Sequence, residues 1–145
     1  MYQDHLCPPL QGFSDASATG LAGYVTIGGD TKIAYKNFTS EEAQKSSTWR
    51  EIEAIRFSVL ALKQYVSGKP LIWHTDNYAA SLIVKAGSRR SDLQGLSEVI
   101  FDICKLENIQ LEIRWIPREC ITYVDGLSKQ PDYDDWETTQ EFLSS

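Results

Sequence analysis

Four carboxylates occupy positions in the sequence where a metal site could form. Asp15 lies inside GFSDAS, which is otherwise strand-like, and Asp76 ends the apolar run LIWHT. Glu51 lies in a long helical segment, and Asp125 lies in TYVDGLSK at the start of a predicted helix. Carboxylate oxygens without sulfur ligands suit Mg²⁺ or Mn²⁺. Two such ions about 4 Å apart can activate water and stabilise the leaving oxygen in a displacement at phosphorus.

Each of these carboxylates also has a structural interpretation. Asp76 with Asn77 could simply cap the next helix, since Asp and Asn are favoured at N-caps. Two spacings fit a capping box, namely Thr48-x-x-Glu51 and Thr122-x-x-Asp125. Asp15 fits a structural role less well, because Asp is depleted in strands.

Hydrophobic periodicity predicts the elements that must position these residues. Strands are predicted over 11–18, 21–27, 31–38, 71–75 and 109–116, and helices over 48–66, 77–86, 91–106 and 122–129. Residues 40–47 are predicted to be a polar connection, and Gly28-Gly29-Asp30 indicates a hairpin. The alternation of strands and helices after the third strand requires parallel strands with helical crossovers. The fold class is therefore α/β: a five-stranded mixed sheet, an antiparallel meander plus parallel strands, with helices packed on it.

This arrangement can bring the carboxylates together. If the first and fourth strands are parallel neighbours, Asp15 and Asp76 lie at the same edge of the sheet, where α/β proteins bind ligands. The long helix has an apolar face made by Ile52, Ile55, Val59, Leu62 and Val66. At 100° per residue, Glu51 lies about 60° from the centre of that face, so its side chain can point towards the sheet. Glu53 falls nearly opposite and is predicted to point to solvent.

Length and composition predict one globular domain. The chain has 145 residues, 42% hydrophobic and 23% charged, and no apolar run long enough to span a bilayer. Its start has no basic or apolar signal region, so neither a signal peptide nor a membrane partner is expected. The three cysteines, Cys7, Cys104 and Cys120, form no CxxC pair. This favours reduced thiols in an intracellular compartment and disfavours a structural zinc site.

The net charge of −6 is unevenly distributed. Residues 130–145 carry five acidic and no basic residues, whereas residues 1–129 carry 14 basic against 15 acidic residues, a charge of −1. We therefore interpret 1–10 as a linker, 11–129 as the domain and 130–145 as an acidic tail or linker. Overall acidity argues weakly against nucleic-acid binding, and the argument weakens further once the tail is set aside.

Four blocks of the sequence, in order, resemble the signature blocks of ribonuclease H. They are GFSDASATGLAGYV, SSTWREIEAIRFSVLAL, IWHTDNYAA and IRWIPRECITYVDGLSK. The resemblance covers 11–129 and is strongest to the RNase H domains of gypsy-like and DIRS-like retroelement reverse transcriptases. It implies an RNase H-like fold and hydrolysis of the RNA strand of RNA–DNA hybrids with two Mg²⁺ or Mn²⁺ ions. It also implies a linked reverse transcriptase domain within a polyprotein.

The resemblance assigns roles to the four carboxylates as a catalytic, metal-binding quartet. Asp15 would bridge both ions, Asp76 and Asp125 would hold the ion on the nucleophile side, and Glu51 would hold the other. Residues 117–124 lack the His that many family members carry in this loop, and Arg118 or Glu119 could substitute for it. Ile121 and Val124 also depart from the family pattern, where Asn and Ala are usual.

Several other residues are candidates for binding the substrate: Ser17, Ser46, Ser47, Thr48, Asn77 and Arg118. Arg89-Arg90 could bind phosphate or could be a solvated helix start. Trp49 and Trp115 are interpreted as packing rather than base-stacking residues. His74 is interpreted as a satisfied polar residue that faces a helix.

Two functions therefore remain open at this level. One is an RNase H endonuclease. The other is a catalytically inactive RNase H-like domain with a structural or protein-interaction role, to which the acidic tail could contribute. Inactive domains of this kind typically lose metal carboxylates, and all four are present here.

Overall fold

A computed structural model describes residues 8–118 of the chain. Five strands form one sheet in the order β3-β2-β1-β4-β5. They are β1 (Leu10–Ala16), β2 (Gly20–Ile27), β3 (Asp30–Asn37), β4 (Pro70–Thr75) and β5 (Gln110–Trp115). β1, β2 and β3 pair antiparallel, whereas β4 pairs parallel with both β1 and β5. The predicted five-stranded mixed sheet is confirmed.

Within residues 8–118, five helices connect or flank these strands. They are α1 (Ser40–Ala43), α2 (Ser47–Ala61), α3 (Lys63–Val66), α4 (Tyr78–Ala86) and α5 (Ser91–Glu107). Two details differ from the sequence prediction. The polar connection contains the short helix α1, which begins with a complete capping box between Thr39 and Glu42. The predicted helix over 48–66 is two helices, because Leu62 departs from helical geometry with φ −104° and ψ 14°.

The β2–β3 hairpin forms as its two glycines predict. Ile27 pairs with Asp30, so the loop consists of Gly28 and Gly29 alone. Their φ angles are 54° and 94°, and a two-residue hairpin turn with positive φ at both positions favours glycine. The turn fixes the register between β2 and β3, and β2 pairs in turn with β1, which carries Asp15.

The core lies between the sheet and α2. All five residues of the predicted apolar face of the long helix are at most 1% exposed, although Leu62 and Val66 lie beyond the end of α2. They pack with Trp73 of β4, which is fully buried and donates a hydrogen bond from Nε1 to Ser14 Oγ at 2.9 Å. The core thus ties α2, β1 and β4 together, and these are the elements that carry Glu51, Asp15 and Asp76.

The prediction that Glu53 points to solvent is wrong. Its side chain is 3% exposed and pairs with Lys36 of β3 at 3.1 Å and with Arg56 at 2.6 Å. Lys36 also pairs with Glu42 of α1 at 3.0 Å. A helical wheel assigns only the apolar stripe of α2 to the buried side. In the structure β3 also packs against α2, and the two cations Lys36 and Arg56 compensate the buried charge.

Two further observations concern the cysteine and membrane predictions. Cys104 lies buried in α5 as a free thiol, and burial raises its pKa to about 11. None of the helices within residues 8–118 combines the length and apolar character that a membrane span requires. The remaining predictions for Cys7, Cys120, the helix over 122–129 and the acidic tail lie outside the described residues.

Candidate active site

Asp15 and Asp76 lie at the carboxyl ends of two adjacent parallel strands. The register of β1 and β4 pairs Phe13 with His74, and each aspartate lies two residues further along its own strand direction. The Asp15 side chain is 1% exposed and that of Asp76 is 7% exposed. The structure meets the condition that the sequence left open, because the first and fourth strands are parallel neighbours and both carboxylates lie at one edge of the sheet.

Glu51 approaches the same edge from the first turns of α2. It is 7% exposed, and its carboxylate can offer an oxygen within 4.8 Å of ligand oxygens of Asp15 and Asp76. Among the described residues, no hydrogen-bond partner reaches Glu51 Oε1. A buried carboxylate oxygen without a partner is costly unless a cation or water compensates it. Three elements of the fold thus converge on one compact acidic cluster.

The cluster fits the ligand set of a hard divalent cation. Its donors are all carboxylate oxygens, and one of them is buried and unsatisfied. Burial first, and then the negative charges of Asp15 and Asp76, raise the pKa of Glu51 well above its ordinary value of 4.5. A bound cation beside these carboxylates would lower that pKa again, because an opposite charge favours the ionised form.

We expect Glu51→Gln to stabilise the protein in EDTA at pH 8. A carboxyl whose pKa is higher in the folded than in the unfolded state stabilises the fold at low pH and loses this contribution as the pH rises through the folded-state pKa. Glutamine removes the buried charge, so its midpoint of thermal unfolding should exceed that of the wild type at pH 8. The difference between the two unfolding midpoints should shrink as the pH falls towards 4.5. A difference in unfolding midpoint that does not change with pH would contradict its assignment to the buried charge of Glu51.

Arg118 contacts two members of the cluster. Its Nη1 lies 2.5 Å from Asp76 Oδ2 and 3.5 Å from Asp15 Oδ1, and its Nη2 lies 3.3 Å from Asp15 Oδ2. Arg118 was predicted as a substrate-binding residue, and the structure places it directly at the carboxylates. Asp125, the fourth predicted ligand, lies outside the described residues.

The helix caps beside the cluster differ from those considered in the sequence. Asn77, not Asp76, caps α4, because its side chain accepts a hydrogen bond from the Ala80 N–H at 2.8 Å. Ser46, not Thr48, caps α2 by accepting from the Trp49 N–H at 3.1 Å. The carboxylates of Asp76 and Glu51 are therefore not used as caps.

The predicted substrate-binding residues fall into two groups. Ser46 and Ser47 are exposed at the start of α2, one turn before Glu51, with Thr48 half-buried beside them. Ser17 instead belongs to the β1–β2 turn, where its hydroxyl accepts hydrogen bonds from the N–H groups of Thr19 and Gly20. The first group lies at the start of the helix that carries Glu51, whereas the hydroxyl of Ser17 is engaged in the turn.

An aromatic pair beside Asp76 was not anticipated from the sequence. Trp115 is 47% exposed, donates from Nε1 to the Asp76 carbonyl at 3.1 Å and makes an edge contact with Tyr78, which is 62% exposed. The packing interpretation holds for Trp49, which lies against the core, but Trp115 is only half covered. Tyr78 could have been found from its position directly after Asp76 and Asn77.

The remaining candidates are His74, Arg89 and Arg90, and none of them belongs to the acidic cluster. His74 is buried and satisfied, with Nδ1 2.9 Å from the Gly12 carbonyl oxygen. It stacks on Phe13, on the sheet face opposite α2, so the prediction that it faces a helix is not met by the described helices. Arg89 and Arg90 are exposed, and Arg90 pairs with Asp92 at 3.3 Å.

Comparison with known proteins identifies the fold. No protein-family model matches the sequence, and no curated protein matches it significantly. Solved structures do match. The structure of RNase H1 from the archaeon Halobacterium salinarum is similar with a TM-score of 0.70 at 11% identity, over 83% of this chain and 94% of that one.

Two further structures extend the comparison. LC11-RNase H1, isolated from compost by a metagenomic approach and solved in complex with an RNA/DNA hybrid, gives a TM-score of 0.69 at 15% identity, over 81% of this chain and 92% of that one. The foamy viral protease-reverse transcriptase in complex with an RNA/DNA hybrid gives 0.56 at 12% identity, over 86% of this chain but 19% of that chain. At these identities the likeness establishes an RNase H fold.

Proposed function

We propose that the protein is a divalent-metal-dependent endonuclease that hydrolyses the RNA strand of RNA–DNA hybrids. The observation that carries the proposal is the convergence of Asp15, Glu51 and Asp76 from β1, α2 and the end of β4. The fold supports it, because two similar structures, LC11-RNase H1 and the foamy viral enzyme, contain RNA/DNA hybrids. The order of the four sequence blocks supports it independently.

The carboxylates would hold Mg²⁺ or Mn²⁺, with two ions as the resemblance implies. Bound divalent cations supply charge stabilisation at the phosphate and acidify a water molecule. Asp15, Glu51 and Asp76 reach the described cluster from a strand, a helix and a strand end, respectively. Asp125 is proposed as the fourth ligand on the sequence pattern alone. Because burial in rigid elements fixes the three described carboxylates, little reorganisation is needed when they take up a cation.

Other residues would position the nucleic acid. The exposed hydroxyls of Ser46 and Ser47 lie at the start of the helix that carries Glu51, and they would donate to backbone oxygens or to the 2′-OH groups that distinguish RNA from DNA. Asn77 uses its side-chain oxygen as the α4 cap, which leaves its amide N–H₂ group as a possible donor. The proposal includes membership in a retroelement reverse transcriptase polyprotein, which the four sequence blocks and the likeness to the foamy viral enzyme support.

Cleavage of matched substrates tests this function. The 145-residue chain should cut the RNA strand of an end-labelled RNA–DNA hybrid in Mg²⁺ or Mn²⁺ and not in EDTA. The DNA strand, a DNA duplex and single-stranded RNA of the same sequence should remain intact. If neither the chain nor its fusion to a polymerase domain cuts the hybrid, the enzyme proposal fails and the inactive structural or interaction domain is supported. Equal cleavage of single-stranded RNA would refute hybrid specificity.

A further inference from the structure

One guanidinium bridges two of the three described site carboxylates. Arg118 reaches Asp76 through Nη1 and Asp15 through both Nη1 and Nη2, at 2.5 to 3.5 Å. We infer that Arg118 is an internal counter-cation: it holds these carboxylates in the metal-free protein and competes with the divalent cation for them. The inference rests on the cation site proposed above, and not on which nucleic acid the protein cuts.

The charges of the cluster explain why a counter-cation is needed. Three carboxylates whose ligand oxygens lie within 4.8 Å of one another repel each other strongly in a site with little exposure. Arg118 compensates Asp15 and Asp76, whereas Oε1 of Glu51 lacks a hydrogen-bond partner among the described residues. A divalent cation carries twice the charge of Arg118 and can contact all three carboxylates. It therefore compensates their negative charge better than Arg118 does.

The two sides of this contact differ in exposure and in position within the fold. Asp15 and Asp76 are at most 7% exposed and are fixed by β1 and β4. Arg118 follows Pro117 beyond the end of β5, and its side chain is 45% exposed. A long, half-exposed side chain can leave the cluster and be hydrated, whereas the buried carboxylates cannot follow it. Cation binding should therefore displace Arg118 and leave the carboxylates in place.

Displacement would also give Arg118 a second partner. A guanidinium released from a carboxylate pair keeps its planar fork of donors, which suits a phosphate oxygen pair equally well. The released Arg118 lies at the edge of the proposed cation site, where a nucleic-acid backbone would pass. This connects its contact with the carboxylates to the substrate-binding role predicted from the sequence.

Direct binding of Mn²⁺ to the full chain tests the inference. Calorimetric titrations without nucleic acid should compare the wild type with Arg118→Met and Arg118→Lys. The matched control is Arg114→Met, which removes the same charge four residues earlier, where Arg114 pairs with Glu112. Since breaking a half-exposed ion pair is worth up to about 1 kcal/mol, Arg118→Met should bind Mn²⁺ roughly fivefold more tightly than Arg114→Met. Arg118→Lys should be intermediate, because it keeps the charge but loses the fork.

Thermal unfolding provides a second readout that does not depend on catalysis. In EDTA, Arg118→Met should unfold at a lower temperature than Arg114→Met, since the cluster has lost its counter-cation. Saturating Mn²⁺ should remove that difference, because the cation replaces Arg118 in the folded state. Equal or weaker Mn²⁺ binding by Arg118→Met, or a stability difference that persists in saturating Mn²⁺, would overturn the inference.

The nuclease proposal and this inference can fail separately. Tighter Mn²⁺ binding by Arg118→Met in a chain that never cuts a hybrid would support the counter-cation and refute the nuclease. Hybrid cleavage by the wild type with unchanged Mn²⁺ binding by Arg118→Met would support the nuclease and refute the counter-cation.

Discussion

Asp76→Asn is expected to lower the rate of metal-dependent hybrid cleavage by roughly a thousandfold or more. Replacing groups that only orient metal ligands typically costs 10- to 100-fold, so losing a ligand itself should cost more. Asn keeps the shape of Asp but lacks the negative charge that attracts a divalent cation. It still leaves the Asp76 carbonyl, which accepts the Trp115 hydrogen bond, in place. The loss should therefore appear as lost metal-dependent catalysis in a folded protein.

The measurement compares initial rates in Mg²⁺ and in Mn²⁺ for the wild type, Asp76→Asn and a matched control. Asp102→Asn is a suitable control, because Asp102 is exposed in α5 and the substitution changes the net charge equally. Circular dichroism and thermal unfolding establish that each variant folds. Cleavage by Asp76→Asn at the rate of Asp102→Asn would rule out Asp76 as a catalytic ligand.

The topology was predictable from the sequence because its determinants are local. The Gly28-Gly29 turn forces an antiparallel hairpin, and the spacing of Ile52, Ile55 and Val59 forces one helix face into the core. Parallel strands then place Asp15 and Asp76 at one edge without any knowledge of side-chain contacts. The three described carboxylates could be brought together on this basis, whereas their role as ligands remains a proposal.

The features that the sequence did not predict depend mostly on contacts between distant segments of the chain. Glu53 is buried because β3 supplies Lys36 and packs against a side of α2 that a helical wheel assigns to solvent. The contact of Arg118 with Asp15 joins residues 103 positions apart, and no periodicity encodes it. The caps were displaced by one or two residues, to Asn77 and Ser46, because capping depends on local backbone geometry that several neighbouring polar residues can satisfy.

The close contact between β1 and β4 makes Gly12 the position where we expect the largest loss of stability. A Cβ at Gly12 would lie 2.1 Å from Trp73 Cε3 and 2.2 Å from Cζ3, inside the van der Waals radius of a fully buried ring. Trp73 is also held by its hydrogen bond to Ser14, so it cannot turn away without leaving a buried donor unpaired. Gly12→Ala should therefore lower the free energy of unfolding by about 3 kcal/mol.

Gly95→Ala is the matched control for this substitution, since it adds the same methyl group in a different environment. Gly95 lies within α5, and nothing lies within 4 Å of the added Cβ. Alanine in a helix interior should raise stability by about 0.5–1 kcal/mol. Urea unfolding of both variants measures the two effects with opposite signs. If Gly12→Ala is as stable as the wild type, then Trp73 does not pack against β1 in this way, and the alignment of β1 with β4 that brings Asp15 beside Asp76 loses its main support.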